Sequence, residues 1–572
     1  MGDRSGIGKP LSQQGLVPAA GWSGRLAGLL IAGVPIGIVP ATAWGQAAGD
    51  SVGSLFSGGN LRGTLEALLP NRPRVNTGLA WQTSGSLEVD VGATDNPGGL
   101  NNQHKWSFTT FIQPSFALTG DSPRLSAQFY YSPAVVLYSN ASGQNTVSHN
   151  LNAGATATLW PEHLFLDVRA YASDQPNYGS AGTFTTTQAL PFNSGSASQT
   201  AGVSVSPYYQ QRFGGWGTLR LAYALTHTFV GNLNNSPPVA QSTNLPGFAT
   251  TGNLTTHTET ASFTTGENFN RFNYTFDAST YQYSGGSGNL QVGNNYFINN
   301  AFSYATTHEI TLLATVGYQT VSYGGATPFQ ADYVNWTVGT RLTPNPDSSL
   351  TIQYGESQGQ NTWLFDGRYS PTPRLSFYGS YTTSITTYLQ QQQALLQGTV
   401  VGPNGILVDR TTGAPVTAVN PLGVQNAPSR VYQLTLGAGY VINRESFSAA
   451  VTRSQSTTLT QSSSAIGTTV ASGTTGTGTT GSLSWQHDID PATSLTSSVG
   501  YGVSNGGAFF GSPGSSVRTF SASANLSHII NESLTGNVSY SYSERSGLGA
   551  TTIQGAGNAS QNLFLVGLRK TF

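Results

Sequence analysis

The sequence predicts an all-β fold, a transmembrane antiparallel up-and-down β-barrel of about 22 strands (20–24), with short periplasmic turns and long extracellular loops. Three observations carry the prediction. From Gly85 to Phe572 apolar and polar residues alternate with a period of two, as in strands whose opposite faces meet different surroundings. The segments between those strands fall into two classes, tight and long, that alternate along the chain. Charged residues are only 8%, aromatic residues reach 11% and there are 70 glycines, a mixture suited to a wall with one face in lipid and the other in water.

The same composition excludes other classes. Aromatic and β-branched residues are too abundant for disorder, and beyond the N-terminal 45 residues no run approaches the ~20 apolar residues of a membrane-spanning helix. A net charge of −1 supplies no basic field for nucleic acid. With no cysteine there are no disulfides, thiolate metal sites or cysteine nucleophiles. No motif of fixed length recurs beyond the hairpin rhythm, which argues against a propeller or solenoid.

Residues 1–45 read as a signal peptide. Arg4, Lys9 and Arg25 carry positive charge, Leu26 to Val39 is apolar, and Ala41-Thr-Ala43-Trp-Gly45 offers small residues for cleavage. Residues 46–84 read as a periplasmic lead-in with a short helix at Leu61–Leu69, too short for the folded plug of a TonB-dependent transporter. The barrel is assigned to residues 85–572.

The first strand sets Leu87, Val89 and Val91 against Glu88 and Asp90. The next carries Phe108, Ile112, Phe116 and Leu118 on one face, and Leu125, Ala127, Phe129 and Tyr131 follow. Leu164, Leu166 and Val168 oppose Asp167 and Arg169; Leu219 to Leu225, Ile310 to Tyr318 and Val334 to Val338 continue the scheme, as do Leu495 to Val503 and Leu534 to Tyr542. Tight links rich in Pro, Asp, Asn and Gly occur at Gly120–Pro123, Trp160–His163, Phe213–Gly215, Glu267–Asn270, Thr306–Glu309, Thr343–Ser348, Ser370–Pro373, Asn443–Ser446, Asp488–Thr493 and Asn531–Ser533. Ser173–Gly195, Gly231–Gly252, Gln390–Pro428 and Gln461–Gly478 are long. With both ends periplasmic, ten turns imply eleven loops and so the strand count above. Pro114, Pro133 and Pro207 interrupt strand patterns, where β-bulges are expected.

The chain ends on a strand, Asn562–Phe572, that resembles the C-terminal strand of bacterial outer-membrane barrels, the segment read by the barrel-assembly machinery. Phe564, Val566, Gly567, Leu568 and Phe572 carry the likeness; Lys570 stands where an aromatic residue is more usual. To close the wall, this strand must pair with Gly85–Thr94.

Further stretches resemble outer-membrane porins associated with exosortase (PEP-CTERM) and exopolysaccharide systems. They are Leu87-Glu-Val-Asp-Val-Gly-Ala-Thr-Asp-Asn96, Phe111-Ile-Gln-Pro-Ser-Phe116, Leu164-Phe-Leu-Asp-Val168 and Gly405-Ile-Leu-Val-Asp-Arg-Thr-Thr-Gly-Ala-Pro415. The resemblance covers nearly the whole chain after the leader. It implies an outer-membrane barrel, in contact with lipid and lipopolysaccharide, linked to surface polysaccharide, and it transfers no catalytic residue.

No enzyme chemistry is expected. None of the eight histidines has a metal-ligand spacing, and Ser148-His149 and His308-Glu309 are strand neighbours that point to opposite faces. His163, His308, His487 and His528 fall near tight turns, where a ring suits a membrane interface. The Gln390–Gln393 run reads as low-complexity loop, and no cofactor is implied. Glu88, Asp90, Asp167, Arg169, Arg271, Asp277 and Arg341 fall opposite the apolar face and are candidate lumen charges. The function expected is a porin-like conduit for hydrophilic solute with a link to exopolysaccharide export. The alternative is a non-conducting scaffold whose Gly405–Pro421 and Ser173–Gly195 loops close the lumen and bind polysaccharide or partner proteins.

Overall fold

Twenty-two strands pair in sequence order, each antiparallel to the next, and the last pairs with the first. The computed structural model describes residues 81–97, 105–176, 197–232, 252–285, 293–324, 328–401, 407–409, 428–459, 462–463, 469–470, 473, 475–506, 516–547 and 558–572. The leader, the Leu61–Leu69 helix and most of the Ser173–Gly195 and Gly405–Pro421 loops lie outside these residues.

The first half of the wall is β1 (Trp81–Thr94), β2 (Ser107–Asp121), β3 (Leu125–Tyr138), β4 (Thr146–Trp160), β5 (Leu164–Pro176), β6 (Ala197–Arg212), β7 (Gly217–Asn232), β8 (Gly252–Thr265), β9 (Phe272–Gly285), β10 (Gly293–Ala305) and β11 (Ile310–Tyr323). The second is β12 (Phe329–Asn345), β13 (Ser348–Ser357), β14 (Gln360–Thr372), β15 (Leu375–Thr386), β16 (Ser429–Ile442), β17 (Glu445–Thr458), β18 (Thr475–Asp490), β19 (Thr493–Gly506), β20 (Ser516–Asn531), β21 (Leu534–Ser546) and β22 (Ala559–Thr571). A helix, α1 (Tyr388–Gly398), follows β15. Trp81–Ser84, assigned from sequence to the lead-in, is strand, because it pairs with Ala117–Gly120.

The ten tight links fall where the sequence puts them and lie at one end of the barrel with both ends of the wall, Trp81 and Phe572. Left-handed residues make several of them, including Asn270 (φ 53) and Asn443 (φ 48). At the opposite end the connections are generally longer. The exception is the two-residue turn between β13 and β14, where Gln358 (φ 53) and Gly359 (φ 74) are both left-handed, the geometry that continues strand twist through a two-residue hairpin. A Cβ on Gly359 would also press on the Tyr333 ring at 2.8 Å.

Parity decides what each face meets. Leu87, Val89, Val91, Leu312, Val338 and Val566 are exposed on the outside, whereas the intervening residues point inward. A closed wall leaves no backbone edge in lipid, so this apolar exterior is a membrane-facing belt. Among the described residues no helix is long and apolar enough to cross a membrane.

The prolines do not make bulges. Pro114 of β2 and Pro133 of β3 face each other, since Ile112 pairs with Val135 and Phe116 with Tyr131 without a change of register. The ladder is interrupted between those pairs because neither proline can donate, and the Gln113 side-chain amide crosses the gap to the Ser132 hydroxyl at 2.8 Å. Pro207 likewise leaves a gap toward β7 with register kept. Irregular register occurs instead beside tight turns, at Thr158/Trp160, Leu342/Asn345, Tyr369/Thr372, Asp488/Asp490 and Ile529/Asn531.

The Gln390–Gln393 run is not a loop. It forms the body of α1, and the cause lies in its first turn. Thr387 and Gln390 form a reciprocal capping box: the Gln390 N–H donates to Thr387 Oγ1 (3.3 Å) and the Thr387 N–H donates to Gln390 Oε1 (2.9 Å).

Candidate functional site

A wall of twenty-two strands encloses a lumen too wide for the inward side chains of the wall to fill. What enters that space decides whether solute can pass. At the long-loop end the inward residues are buried, among them Thr94, Thr109, Val230, Leu254 and Val321. Toward the tight-turn end they are more accessible on β7, β8, β9 and β12, where Arg220, Ser262 and Asp277 are half-buried and Asn273 and Arg341 exposed, but they stay buried on β1, β17 and β18, as at Ser86, Ser446 and Gln486. The inner wall is therefore covered along its length on one side of the barrel and more accessible toward the tight turns on the other.

At the long-loop end α1 lies against this wall. Ile385, at the end of β15, packs with Val321 and Tyr323 of β11, and Tyr388 and Leu389 pack with Val230 of β7, Leu254 of β8 and Tyr283 of β9. The chain thus crosses from one side of the mouth to the other within a few residues. Burying Leu389 fully is worth roughly 1.5–3 kcal/mol by area.

Polar side chains of the helix then complete bonds to the wall. Tyr388 Oη lies 3.2 Å from Thr200 Oγ1. The Tyr171 hydroxyl donates to Gln392 Oε1 (3.3 Å), and the Tyr323 hydroxyl to Gln390 Oε1 (3.0 Å). Gln393 accepts from the Thr256 hydroxyl (2.5 Å) and donates to the Leu254 carbonyl (3.0 Å). Burial holds the Tyr388 phenol above its ordinary range, so it stays protonated and able to donate. Every contact in this set is neutral, and neutral hydrogen bonds are individually weak, about 0.5–1.5 kcal/mol each. The helix is docked by several small terms rather than by an ion pair.

The predicted lumen charges divide into groups. Glu88 and Asp90 point inward at the closing seam, where Asn537 Nδ2 donates to Glu88 Oε1 (3.2 Å) and Asp90 Oδ1 (2.9 Å). Asp167 and Arg169 form a buried ion pair at 3.1 Å on β5. Asp277 is inward and half-buried on β9. Arg341 is exposed, with its Nε 3.4 Å from Thr351 Oγ1. Arg271 lies outside the strands, exposed in the turn before Phe272. Nothing gathers these seven residues into one site.

Sequence reading passed over Arg220, which faces the lumen between Leu219 and Leu221; its guanidinium lies 4.3 Å from the Tyr208 ring centroid. It also passed over Arg569, whose Nε donates to Ser86 Oγ (3.3 Å). The parity used for the other charges assigns both. The signal for α1 was Thr387-x-x-Gln390 itself.

Of the histidines near tight turns, His163 packs edge-on to Trp160, and His487 stacks on Trp485 while pairing with Glu445 at 2.7 Å. His308 and Glu309 are not strand neighbours on opposite faces: both lie in the turn, and their side chains meet at 3.4 Å, while His528 Nδ1 lies 2.9 Å from Thr493 Oγ1. Among the described residues no group of three or more His, Asp or Glu is placed to hold a metal.

The C-terminal strand closes the wall against its expected partner, in a register that runs from Ser86 with Thr571 to Thr94 with Leu563. Phe564, Val566, Leu568 and Phe572 are exposed on the outer face. Gly567 sits between Asp90 and Asn537, and a Cβ there would collide with Asp90 Oδ1.

No family model and no curated protein matches the chain. Among solved structures it is similar to the ferric-catecholate import receptor Fiu from E. coli, at 10% identity over 88% of this chain and 82% of that one, with a TM-score of 0.46. It is similar to the siderophore receptor PiuA from Acinetobacter baumannii at 9% identity, over 86% and 82% of the two chains, with a TM-score of 0.47. For the FrpB iron transporter from Neisseria meningitidis the values are 10%, 86%, 82% and 0.45. At that identity and superposition these likenesses carry no argument about what this chain binds.

Proposed function

We propose that this chain is an outer-membrane conduit for hydrophilic solute whose mouth is closed by α1 and opens when the helix leaves its seat. The observation that carries the reading is the combination of a polar inner wall with a helix held across the mouth by neutral hydrogen bonds and a small apolar contact. A permanent seal calls for a larger apolar interface; a few weak polar bonds suit a closure that exchanges. Amide, hydroxyl and tyrosine groups match the hydroxyls of carbohydrate better than they match phosphate or lipid, which supports the link to exopolysaccharide export drawn from the sequence. In the same reading the exposed Phe564, Val566, Leu568 and Phe572 present the last strand to the barrel-assembly machinery, and residues 1–45 direct export before cleavage.

The second reading, a non-conducting scaffold, is favoured by one observation, the burial of the inward wall at the long-loop end. Planar-bilayer conductance of the refolded protein separates the two. A stable conductance reduced by oligosaccharide supports the conduit; a silent barrel that still binds polysaccharide supports the scaffold.

A further inference from the structure

Three inward residues lie side by side on adjacent strands where the inner wall is more accessible toward the tight turns. Arg220 of β7 pairs in register with Ser262 of β8, and Ser262 with Asp277 of β9. Two strand spacings put the backbones of Arg220 and Asp277 about 10 Å apart. The residue between them is a short serine that does not itself span this distance, and all three are half-buried.

Neither charge is satisfied by a partner among the described residues. Arg220 Nε has no hydrogen-bond partner, and its guanidinium contacts only the Tyr208 ring. Tyr208 in turn stacks on Phe165, with ring centroids 5.0 Å apart and planes 16° from parallel. The neighbouring Asp167 and Arg169 are already paired with each other, and Arg212 and Glu267 pair in the exposed turn region. The local charge is therefore balanced, with a strong donor at one side of the gap and a strong acceptor at the other.

We infer that Arg220, Ser262 and Asp277, with Tyr208 beside them, form a subsite for a neutral saccharide, reached from the tight-turn end of the lumen and lying below α1. This rests on the conduit reading and names its solute class and its side of entry. A polyol has hydroxyls that donate to the Asp277 carboxylate and accept from the Arg220 guanidinium at once, which are charge-assisted and so stronger than neutral bonds. An anion would gain at Arg220 and lose at Asp277, and a cation the reverse. Tyr208, stacked on Phe165 on one side and under the Arg220 guanidinium on the other, holds the guanidinium in place at the edge of the row. In the conduit reading α1 shuts the long-loop end, so a saccharide arriving from the tight-turn side meets this row before it meets the helix.

The test is calorimetric titration of maltohexaose into the refolded full-length barrel in detergent, counting only protein with heat-modifiable migration. Saturable binding is expected, weakened about tenfold or more by Arg220→Gln and by Asp277→Asn. Ser262→Leu, which fills the gap without touching either charge, should abolish it. Arg212→Gln, in the exposed ion pair, and deletion of residues 388–398 should leave affinity within about twofold. No saturable binding to the unaltered protein, or equal affinity in the Arg220, Asp277 and Ser262 variants, overturns the subsite. Conductance of the 388–398 deletion is recorded separately: a conducting barrel that binds no maltohexaose loses the subsite and keeps the conduit, and a barrel that binds maltohexaose without conducting does the reverse.

Discussion

The side-chain amide of Asn537 on β21 reaches the carboxylate of Asp90 on β1 at 2.9 Å, passing over Gly567 of the strand between them. The bond ties together the two strands that flank β22, the last to be made. Gly567→Ala places a methyl where the Asp90 carboxylate lies, so the carboxylate must swing away and leave Asn537 Nδ2 with its weaker contact to Glu88. Such a loss costs about 1–3 kcal/mol. Urea unfolding followed by gel migration should show that drop, with Asn537→Ala, which removes the donor to both Asp90 and Glu88, giving one at least as large; an unchanged midpoint in Gly567→Ala would show that the seam bond contributes nothing.

Deleting Phe572 should separate assembly from stability. Its backbone N–H makes one bond to the Gly85 carbonyl (2.8 Å) and its ring is 75% exposed, so little wall energy depends on it. Barrel yield in cells is expected to fall several-fold while the urea midpoint of purified barrel moves by less than about 0.5 kcal/mol. Equal yields with and without Phe572 count against the assembly role.

Glu259 of β8 is an exposed carboxyl on the outer face, between Tyr223 and Thr280 on the neighbouring strands. Charge on a lipid-facing position is unfavourable, less so for carboxyls than for Lys or Arg. Glu259→Leu should stabilise the barrel in lipid by about 1 kcal/mol. Destabilisation on that substitution would mean that the carboxyl has a partner in the membrane.

Thr387→Ala removes half of the capping box that starts α1. The expected cost to the docked helix is about 1 kcal/mol, seen as roughly fivefold more frequent opening events in single-channel records. Thr387→Ser, which keeps the hydroxyl, should behave like the unaltered chain. Identical gating in all three would uncouple the cap from closure.

The wall was legible because its rule is local. One membrane-facing side per strand forces alternation, and Leu87, Val89 and Val91 against Glu88 and Asp90 are enough to assign both faces of β1. The same rule placed the outward face of β22 and reached Asp277 without any knowledge of its neighbours. Arg220 was equally within reach, sitting between Leu219 and Leu221. Pro114 and Pro133 misled because the bulge expectation considers one proline at a time; set opposite each other, they leave a shared gap that Gln113 spans, and the register needs no extra residue.

The lumen was less legible for a physical reason. Alternation reports which way a side chain points, not what fills the space ahead of it. The seat of α1 depends on Val230, Leu254 and Tyr283, which are far from the helix in sequence. Its four consecutive glutamines break up the helical spacing of Tyr388 and Leu389 with Leu395 and Leu396, so the Thr387-x-x-Gln390 box is the clearer mark, and such a short motif gains meaning once the lumen around it is known.

The most direct measurement is single-channel conductance in planar bilayers of the full chain and of a variant lacking residues 388–398, both shown to be folded by heat-modifiable migration. If α1 closes the mouth, the full chain should conduct little with brief openings, and the deletion should conduct steadily at several-fold higher current. Equal conductance in the two proteins, whether high or absent, would contradict closure by α1.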